Sequence, residues 1–344
     1  MTQTKKPSVL LIYTGGTIGM IQNPRTGSLS PFDFDHILKQ IPELKVFSYK
    51  IDTITFDPLI DSSDVQPKTW IKLAKIIKEN YDLYDGFVVL HGTDTMAFSA
   101  SALSFMLENQ SKPVIFTGSQ LPIGVLRTDG KENLITSIEI AASKRNNQAL
   151  VPEVCIYFEN QLFRANRTTK YNAEHFDAFK SDNYPRLAKA GIRIKYKYPV
   201  IHYPINNNKI IIHTKLDRNV TVLKIFPGIT TNVIEAILNS KGLKAVVLET
   251  FGSGNAPTGN WFISLIKKAI KRGIIILNVT QCSAGSVEMG RYETSLPLLE
   301  AGVISGQDIT TEAAVTKLMF LLGNFKKNED IIKYLQQSIS GEIN

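Results

Sequence analysis

The chain reads as an α/β protein of two domains, a larger N-terminal one built on a parallel sheet and a smaller α/β domain behind it. Three observations predict this. Short apolar runs alternate with stretches of helical periodicity along most of the 344 residues, the pattern of repeated βαβ units. Several runs end in turns rich in glycine and threonine, as strands do where they reach the ligand-binding rim of a parallel sheet. The alternation lapses once, around residues 196–208, in a stretch of Tyr, Pro and Asn that reads as a connection. The expected division is therefore 1–195, a linker over 196–218, and 219–344.

The elements follow in order. Val9–Tyr13 is an apolar strand closed by Thr14-Gly15-Gly16-Thr17-Ile18-Gly19, and a polar loop over Gln22–Pro31 follows. Pro67 suits a first helical position, and Trp70, Leu73, Ala74 and Ile77 recur at helical spacing after it. Strand Phe87–Leu90 leads through His91-Gly92-Thr93-Asp94-Thr95 into Thr95–Asn109, apolar on nearly every side and so a buried helix. Val114–Phe116 is a strand, Lys131–Lys144 a helix and Val154–Phe158 a strand. In the second half come strand Val220–Phe226 and a helix near Asn232–Leu238, where Asn232 and Glu235 have capping-box spacing. Strand Ala245–Leu248, helix Trp261–Lys271 stopped by Gly273, and strand Ile274–Leu277 succeed them. Helices Glu312–Leu322 and Asp330–Ser338 complete the pattern.

Composition narrows the function classes. With 43% hydrophobic and 20% charged residues the chain has the make-up of an ordinary globular protein with a sizeable core. No apolar run reaches the ~18 residues of a membrane span, and the start lacks a signal-peptide pattern. A cytoplasmic location with no membrane partner is expected. Cys155 and Cys282 are expected as free thiols. The net charge of +8 is spread thinly from end to end, which favours a solvated surface over a nucleic-acid partner. The five histidines show no ligand spacing, so no metal or other cofactor is expected.

The chemistry sits in the two threonine-bearing turns. If both strands end on one rim, two hydroxyls and a carboxylate meet in one crevice. Threonine is a weak nucleophile at neutral pH and needs a base and an oxyanion site nearby. The glycines beside Thr17 permit close backbone approach. Lys170, in Asn166-Arg167-Thr168-Thr169-Lys170, would serve as base if desolvated beside Asp94. Each piece alone has a blander reading: a Gly-Gly turn as a tight bend, Thr93 and Asp94 as a helix cap, Lys170 as a surface charge, His91 as a group that orders backbone. A phosphate loop is disfavoured because Ile18 follows Thr17.

Seven segments in order carry a resemblance. They are Thr14–Met20, Asp61-Ser62-Ser63-Asp64, Asp85–Thr95, Thr117-Gly118-Ser119-Gln120, Asn166–Lys170, Gly254-Asn255-Ala256-Pro257 and Thr280-Gln281-Cys282. Together they resemble the bacterial-type L-asparaginases, most of all the cytoplasmic type I members, over nearly the whole chain. The resemblance implies hydrolysis of L-asparagine through a threonine acyl-enzyme. Thr17 would be the nucleophile, and Thr93, Lys170 and Asp94 would form a proton relay. Ser62, with Asp61 and Ser63, would hold the substrate α-carboxylate, and Asp94 its α-amino group. It also implies a homodimer or homotetramer with active sites near the dimer interface, Asn255 coming from the neighbouring subunit.

Two positions depart from the family. Where many relatives carry a loop tyrosine near the nucleophile, this chain has Ser28. Some type I enzymes have a second, regulatory asparagine site; Thr280 and Cys282, flanking Gln281, match it, but Glu249 stands where those enzymes have arginine. Two rival functions remain at this point. An amidase subunit of a tRNA-dependent amidotransferase shares the motifs but carries an extra domain ahead of the Thr-Gly-Gly-Thr motif, which here begins at Thr14. A non-catalytic amino-acid sensor would not need the full set Thr17, Thr93, Asp94 and Lys170.

Overall fold

The computed structural model describes residues 6–22, 29–31, 41–204 and 208–344. It divides into two compact units, Met1–Ile212 and His213–Asn344. The stretch expected as a linker falls on both sides of that division. Lys195–Tyr196 joins the first unit's large sheet as an edge strand, and Ile211–Ile212 pairs with Leu107–Glu108.

The first unit is organised by an eight-stranded sheet. Its strands in chain order are β1 (Ser8–Tyr13), β2 (Lys50–Thr55), β3 (Gly86–Leu90), β4 (Val114–Thr117), β5 (Val154–Phe158), β6 (Gln161–Arg164), β7 (Ala188–Lys189) and β8 (Lys195–Tyr196). Across the sheet they run β8-β7-β6-β5-β4-β3-β1-β2. The five strands from β2 to β5 are mutually parallel. The sheet is mixed, however, because β6, β7 and β8 extend it antiparallel. The parallel expectation covers the strands built on continuous apolar runs. β1, β3, β4 and β5 are buried throughout, as strands covered on both faces must be. The edge strand β2 has only Ile51 and Ile54 as apolar residues and went unpredicted.

Helices α1 (Pro67–Glu79), α2 (Met96–Met106) and α3 (Gly130–Ala142) accompany the sheet. α1 starts at Pro67 and buries Trp70, Leu73, Ala74 and Ile77, as its spacing dictates. α2 buries nine of its eleven residues. It ends three residues earlier than the sequence suggested, because Leu107–Glu108 leaves to pair with Ile211–Ile212 and Asn109 takes a positive φ of 59°. Within the expected loop after the first motif, Met20–Gln22 pairs with Leu29–Pro31. Ser28 lies outside the described residues.

The second unit holds a parallel sheet of β9 (Val220–Lys224), β10 (Ala245–Thr250), β11 (Ile275–Thr280) and β12 (Ile304–Ser305), adjacent in that order. Five helices surround it: α4 (Thr231–Leu238), α5 (Asn260–Lys271), α6 (Leu296–Glu300), α7 (Thr311–Asn324) and α8 (Asn328–Leu335). The capping box expected at Asn232 and Glu235 does not form. The N-cap position of α4 is Thr230, which places Asn232 inside the first turn, and no side chain caps the helix. α7 carries Lys317, whose fully buried ammonium lies 2.5 Å from the equally buried Glu342 carboxylate. No helix among the described residues is long and apolar enough to cross a membrane.

Candidate active site

Three turns at the ends of parallel strands meet at one rim of the large sheet. After β1 the chain is pinned twice to the end of β3, by the Thr14 amide and hydroxyl donating to the Leu90 carbonyl at 3.0 and 2.9 Å. Gly15 and Gly16 then take φ of 131° and 96°, values that glycine tolerates and other residues resist. Contact as well as conformation requires them. A Cβ on Gly15 would fall on the Ile60 backbone, and one on Gly16 would come within 2.5 Å of the Gly92 nitrogen. Gly92 in turn lies so near Ser62 that a Cβ there would sit 2.5 Å from the serine Oγ. The Thr14–Gly19 turn, the Asp61–Ser63 segment and the His91–Thr95 turn are therefore interlocked.

Thr17 opens a short 3-10 turn, Thr17–Gly19, and is partly exposed. Its hydroxyl makes no hydrogen bond among the described residues. Ser62 also lies in a 3-10 turn, capped by Asp61. The Asp61 carboxylate accepts from the Ser63 amide at 2.8 Å and the Ser63 hydroxyl at 2.7 Å, and these bonds hold it below the usual carboxylate range. Asp61 and Ser63 thus face each other, and the Thr95 hydroxyl donates to the Ser62 carbonyl at 2.6 Å.

Lys170 stands on the short strand Thr169–Lys170, paired with Phe179–Lys180. Its ammonium donates to Thr93 Oγ1 at 2.9 Å and to Asp94 Oδ1 at 2.7 Å. Lys170 is 16% exposed and Asp94 64%, so the lysine is held inside while the carboxylate looks outward. Neither Thr93 nor Asp94 caps α2, whose N-cap position is Thr95; the bland reading of that pair fails.

His91 is fully buried, and burial lowers its pKa from 6.5 to about 4 despite a hydrogen bond to the Gly92 carbonyl. Its tautomer follows from its partners. Nδ1 lies 2.7 Å from the Gly92 carbonyl, which can only accept, so Nδ1 carries the proton. Nε2 then accepts from Ser99 Oγ at 2.9 Å, and Ser99 accepts from Trp70 Nε1 at 2.9 Å. The neutral ring orders the backbone just ahead of Thr93.

The sequence motifs included Gln120 but assigned it no contact. Its Oε1 lies 3.3 Å from Thr93 Oγ1, and its backbone amide donates to the buried Asp129 carboxylate. Burial raises the Asp129 pKa, against hydrogen bonds from the Gln120 and Leu121 amides and from Asn133. A glutamine directly after a strand-ending Thr-Gly-Ser turn was the available signal.

In the second unit the residues singled out gather at the ends of β10 and β11. Glu249 accepts from the Thr311 hydroxyl at 2.7 Å and lies 3.3 Å from the Lys224 ammonium. The Gln281 amide bridges the Ile225 and Glu249 carbonyls at 2.7 and 2.8 Å. Thr280 Oγ1 accepts from the Cys282 amide. Arg291 pairs with Glu288. Asn255 closes a backbone bridge with Phe251, and its Oδ1 accepts from Thr294. Cys155 is buried and Cys282 exposed, both free.

Two family models match: "Asparaginase, N-terminal" over residues 8–202 and "Glutaminase/Asparaginase C-terminal domain" over residues 219–335. The chain is 43% identical to L-asparaginase 1 of Escherichia coli K12, covering 98% of both sequences. It is 38% identical to the 60 kDa lysophospholipase of Mus musculus over 97% of this chain and 62% of that one. Among solved structures, L-asparaginase I from Vibrio cholerae superposes with a TM-score of 0.88 at 40% identity, covering 99% of this chain and all of the other. Matched in both halves by models of one family and aligned almost end to end with such relatives, the chain belongs to the asparaginase family.

Proposed function

We propose that the protein hydrolyses L-asparagine to L-aspartate and ammonia, with Thr17 as nucleophile. The observation that carries this reading is the Lys170 ammonium held between Thr93 Oγ1 at 2.9 Å and Asp94 Oδ1 at 2.7 Å, on the turn that interlocks with the Thr17 turn. The Thr17 hydroxyl attacks the side-chain amide carbon, its proton passes to the departing nitrogen, and ammonia leaves an ester on Thr17. Water then attacks that ester and releases aspartate. Thr93 and Lys170 move the protons, and Asp94 keeps the ammonium in place. Ser62 Oγ and Asp94 Oδ2, which make no hydrogen bonds among the described residues, receive the substrate's α-carboxylate and α-amino group. Asp61 and Ser63 shape the turn that presents Ser62. Fixing a small zwitterion at both ends brings its amide to the hydroxyl, which is catalysis by positioning.

The reading extends to a homo-oligomer in a reducing cytoplasm, with Asn255 reaching a neighbouring subunit's site. Exposed aromatic residues on the second unit, Phe226, Phe251, Trp261 and Tyr292, support a surface that a second copy covers. Free cysteines support the compartment. The test is ammonia release from L-asparagine by the purified protein, with L-glutamine in parallel. Release from asparagine without any tRNA is expected. No release from asparagine would overturn the reading, and tRNA-stimulated release from glutamine alone would replace it with an amidotransferase subunit.

A further inference from the structure

We propose that Gln120 is a positioning residue that aims the Thr93 hydroxyl proton and ties the loop carrying Lys170 to that hydroxyl. The inference rests on the proton-handling role given to Thr93 above. It starts from the two neighbours of Thr93 Oγ1, Lys170 Nζ at 2.9 Å and Gln120 Oε1 at 3.3 Å. An ammonium can only donate, so Thr93 accepts from Lys170 and keeps one proton to give. The carbonyl oxygen of Gln120 is the acceptor on offer. Its 3.3 Å separation exceeds that of an ordinary O–H···O bond, so the proton is directed without being tightly held and can turn toward substrate.

The orientation of the Gln120 amide is dictated by its other end. Nε2 lies 3.2 Å from the Ala173 carbonyl and 3.1 Å from the His175 carbonyl. Two N–H donors meet two oxygens that can only accept. Turning the amide over would set Oε1 against both carbonyls, so Oε1 must face Thr93. Ala173 and His175 belong to the loop between Thr169–Lys170 and Phe179–Lys180. That loop holds its own shape, with Asn172 Oδ1 accepting from the Glu174 and His175 amides at 2.8 and 2.9 Å. The backbone of Gln120 is fixed in turn by Asp129, 3.0 and 3.1 Å from the Gln120 nitrogen. One side chain, anchored at both ends, therefore links the turn after β4, the Thr93 hydroxyl and the lysine-bearing loop.

The test compares Gln120→Met, which keeps bulk but loses both ends of the amide, with Gln120→Glu, which keeps an acceptor toward Thr93 and loses the N–H pair. Gln120→Met is expected to lower kcat about 10- to 100-fold with KM changed less than about threefold, since misaimed reacting groups cost rate more than binding. Gln120→Glu sets a carboxylate oxygen against the Ala173 and His175 carbonyls and so should also lower kcat, but by less than Gln120→Met because the acceptor toward Thr93 remains. Because Gln120 acts through Thr93, Gln120→Met should have little further effect on the residual rate in a Thr93→Val background. Thermal melts accompany each variant; if Gln120→Met fails to fold, the near-isosteric Gln120→Glu carries the comparison with Thr93→Val. Wild-type kcat in both Gln120 variants, a change confined to KM, or an equal loss in both Thr93 backgrounds would overturn the inference. Wild-type kcat in Thr93→Val would instead overturn the catalytic reading on which it rests.

Discussion

Acidifying the protein should weaken it through one buried ring. His91 is held neutral, with a pKa lowered from 6.5 to about 4 chiefly because its site excludes water. Between those values the unfolded chain binds a proton that the folded chain refuses. The stability is therefore fully present above pH 6.5 and is lost as pH falls toward 4. A gap of roughly 2.5 pH units, at about 1.4 kcal/mol each, amounts to about 3 kcal/mol. Protonation would also reverse the contact at Nε2, so that the Ser99 oxygen accepts from both Trp70 and His91 and its own proton loses its acceptor. Trp70 is itself the reporter. Of the chain's two tryptophans it is 5% exposed, against 40% for Trp261. In a Trp261→Phe background, guanidinium unfolding followed by Trp70 emission at pH 7 and pH 4 gives the stability at each. Carboxylates contribute to acid lability too, so the comparison is with His91→Gln in the same background. The His91 protein should lose about 3 kcal/mol more than the variant between the two pH values. Parallel losses in both proteins would refute the assignment of a neutral, desolvated ring.

Three further outcomes are expected. Thr17→Ala and Thr93→Val should each lower kcat at least about 10³-fold while leaving the melting temperature nearly unchanged, because the Thr17 hydroxyl makes no hydrogen bond among the described residues and the partners of Thr93, Lys170 and Gln120, keep other bonds; near wild-type turnover in either would remove its role. Lys170→Met should lower kcat by about 10²- to 10⁴-fold and affect KM much less, as a proton-transfer group does; a change in KM alone would make Lys170 a binding residue. Asparagine kinetics should be hyperbolic, because Glu249, held by Thr311 and Lys224, offers a carboxylate where an effector's own carboxylate would need a cation, and a typical coupling is only about 1–3 kcal/mol. A sigmoidal rate curve flattened by Thr280→Val or Cys282→Ala would show that a regulatory site persists.

The parts of the fold that could be read from the sequence are those where burial on both faces leaves continuous apolar runs. β1, β3, β4 and β5 were visible for that reason, and α1 because Trp70, Leu73, Ala74 and Ile77 keep a 3.6-residue period. β2 was not, since an edge strand needs little apolar character; β6 has only Leu162 and Phe163 as apolar residues, and β7 and β8 are too short to show a pattern. The capping spacing at Asn232 misled because Thr230, two residues earlier, occupies the end of the helix. In the site, the residues Thr93, Asp94 and Lys170 are legible as motif positions, and the first two each lie within hydrogen-bonding reach of the third. The positions of Gln120, Asp129 and the Ala173 and His175 carbonyls depend on contacts between residues up to 55 apart in sequence, which no local pattern encodes. The sequence points to Asp61 as a binding residue, and the two hydrogen bonds of its carboxylate within the described residues both come from Ser63.

The packing of Gly15 against Ile60, Gly16 against Gly92, and Gly92 against Ser62 bears on any attempt to redesign the pocket. These turns have no slack, so a library that randomises the glycines would sample mostly misfolded rims and little new specificity. Paired changes offer no escape either, because the obstructing atoms are largely backbone, which no second substitution can shorten. Variation belongs instead at exposed side chains beside the interlock that take no part in these contacts, Asp64 and Glu174 among them. A screen built on those positions would explore substrate range while leaving the Thr14–Gly19 turn intact.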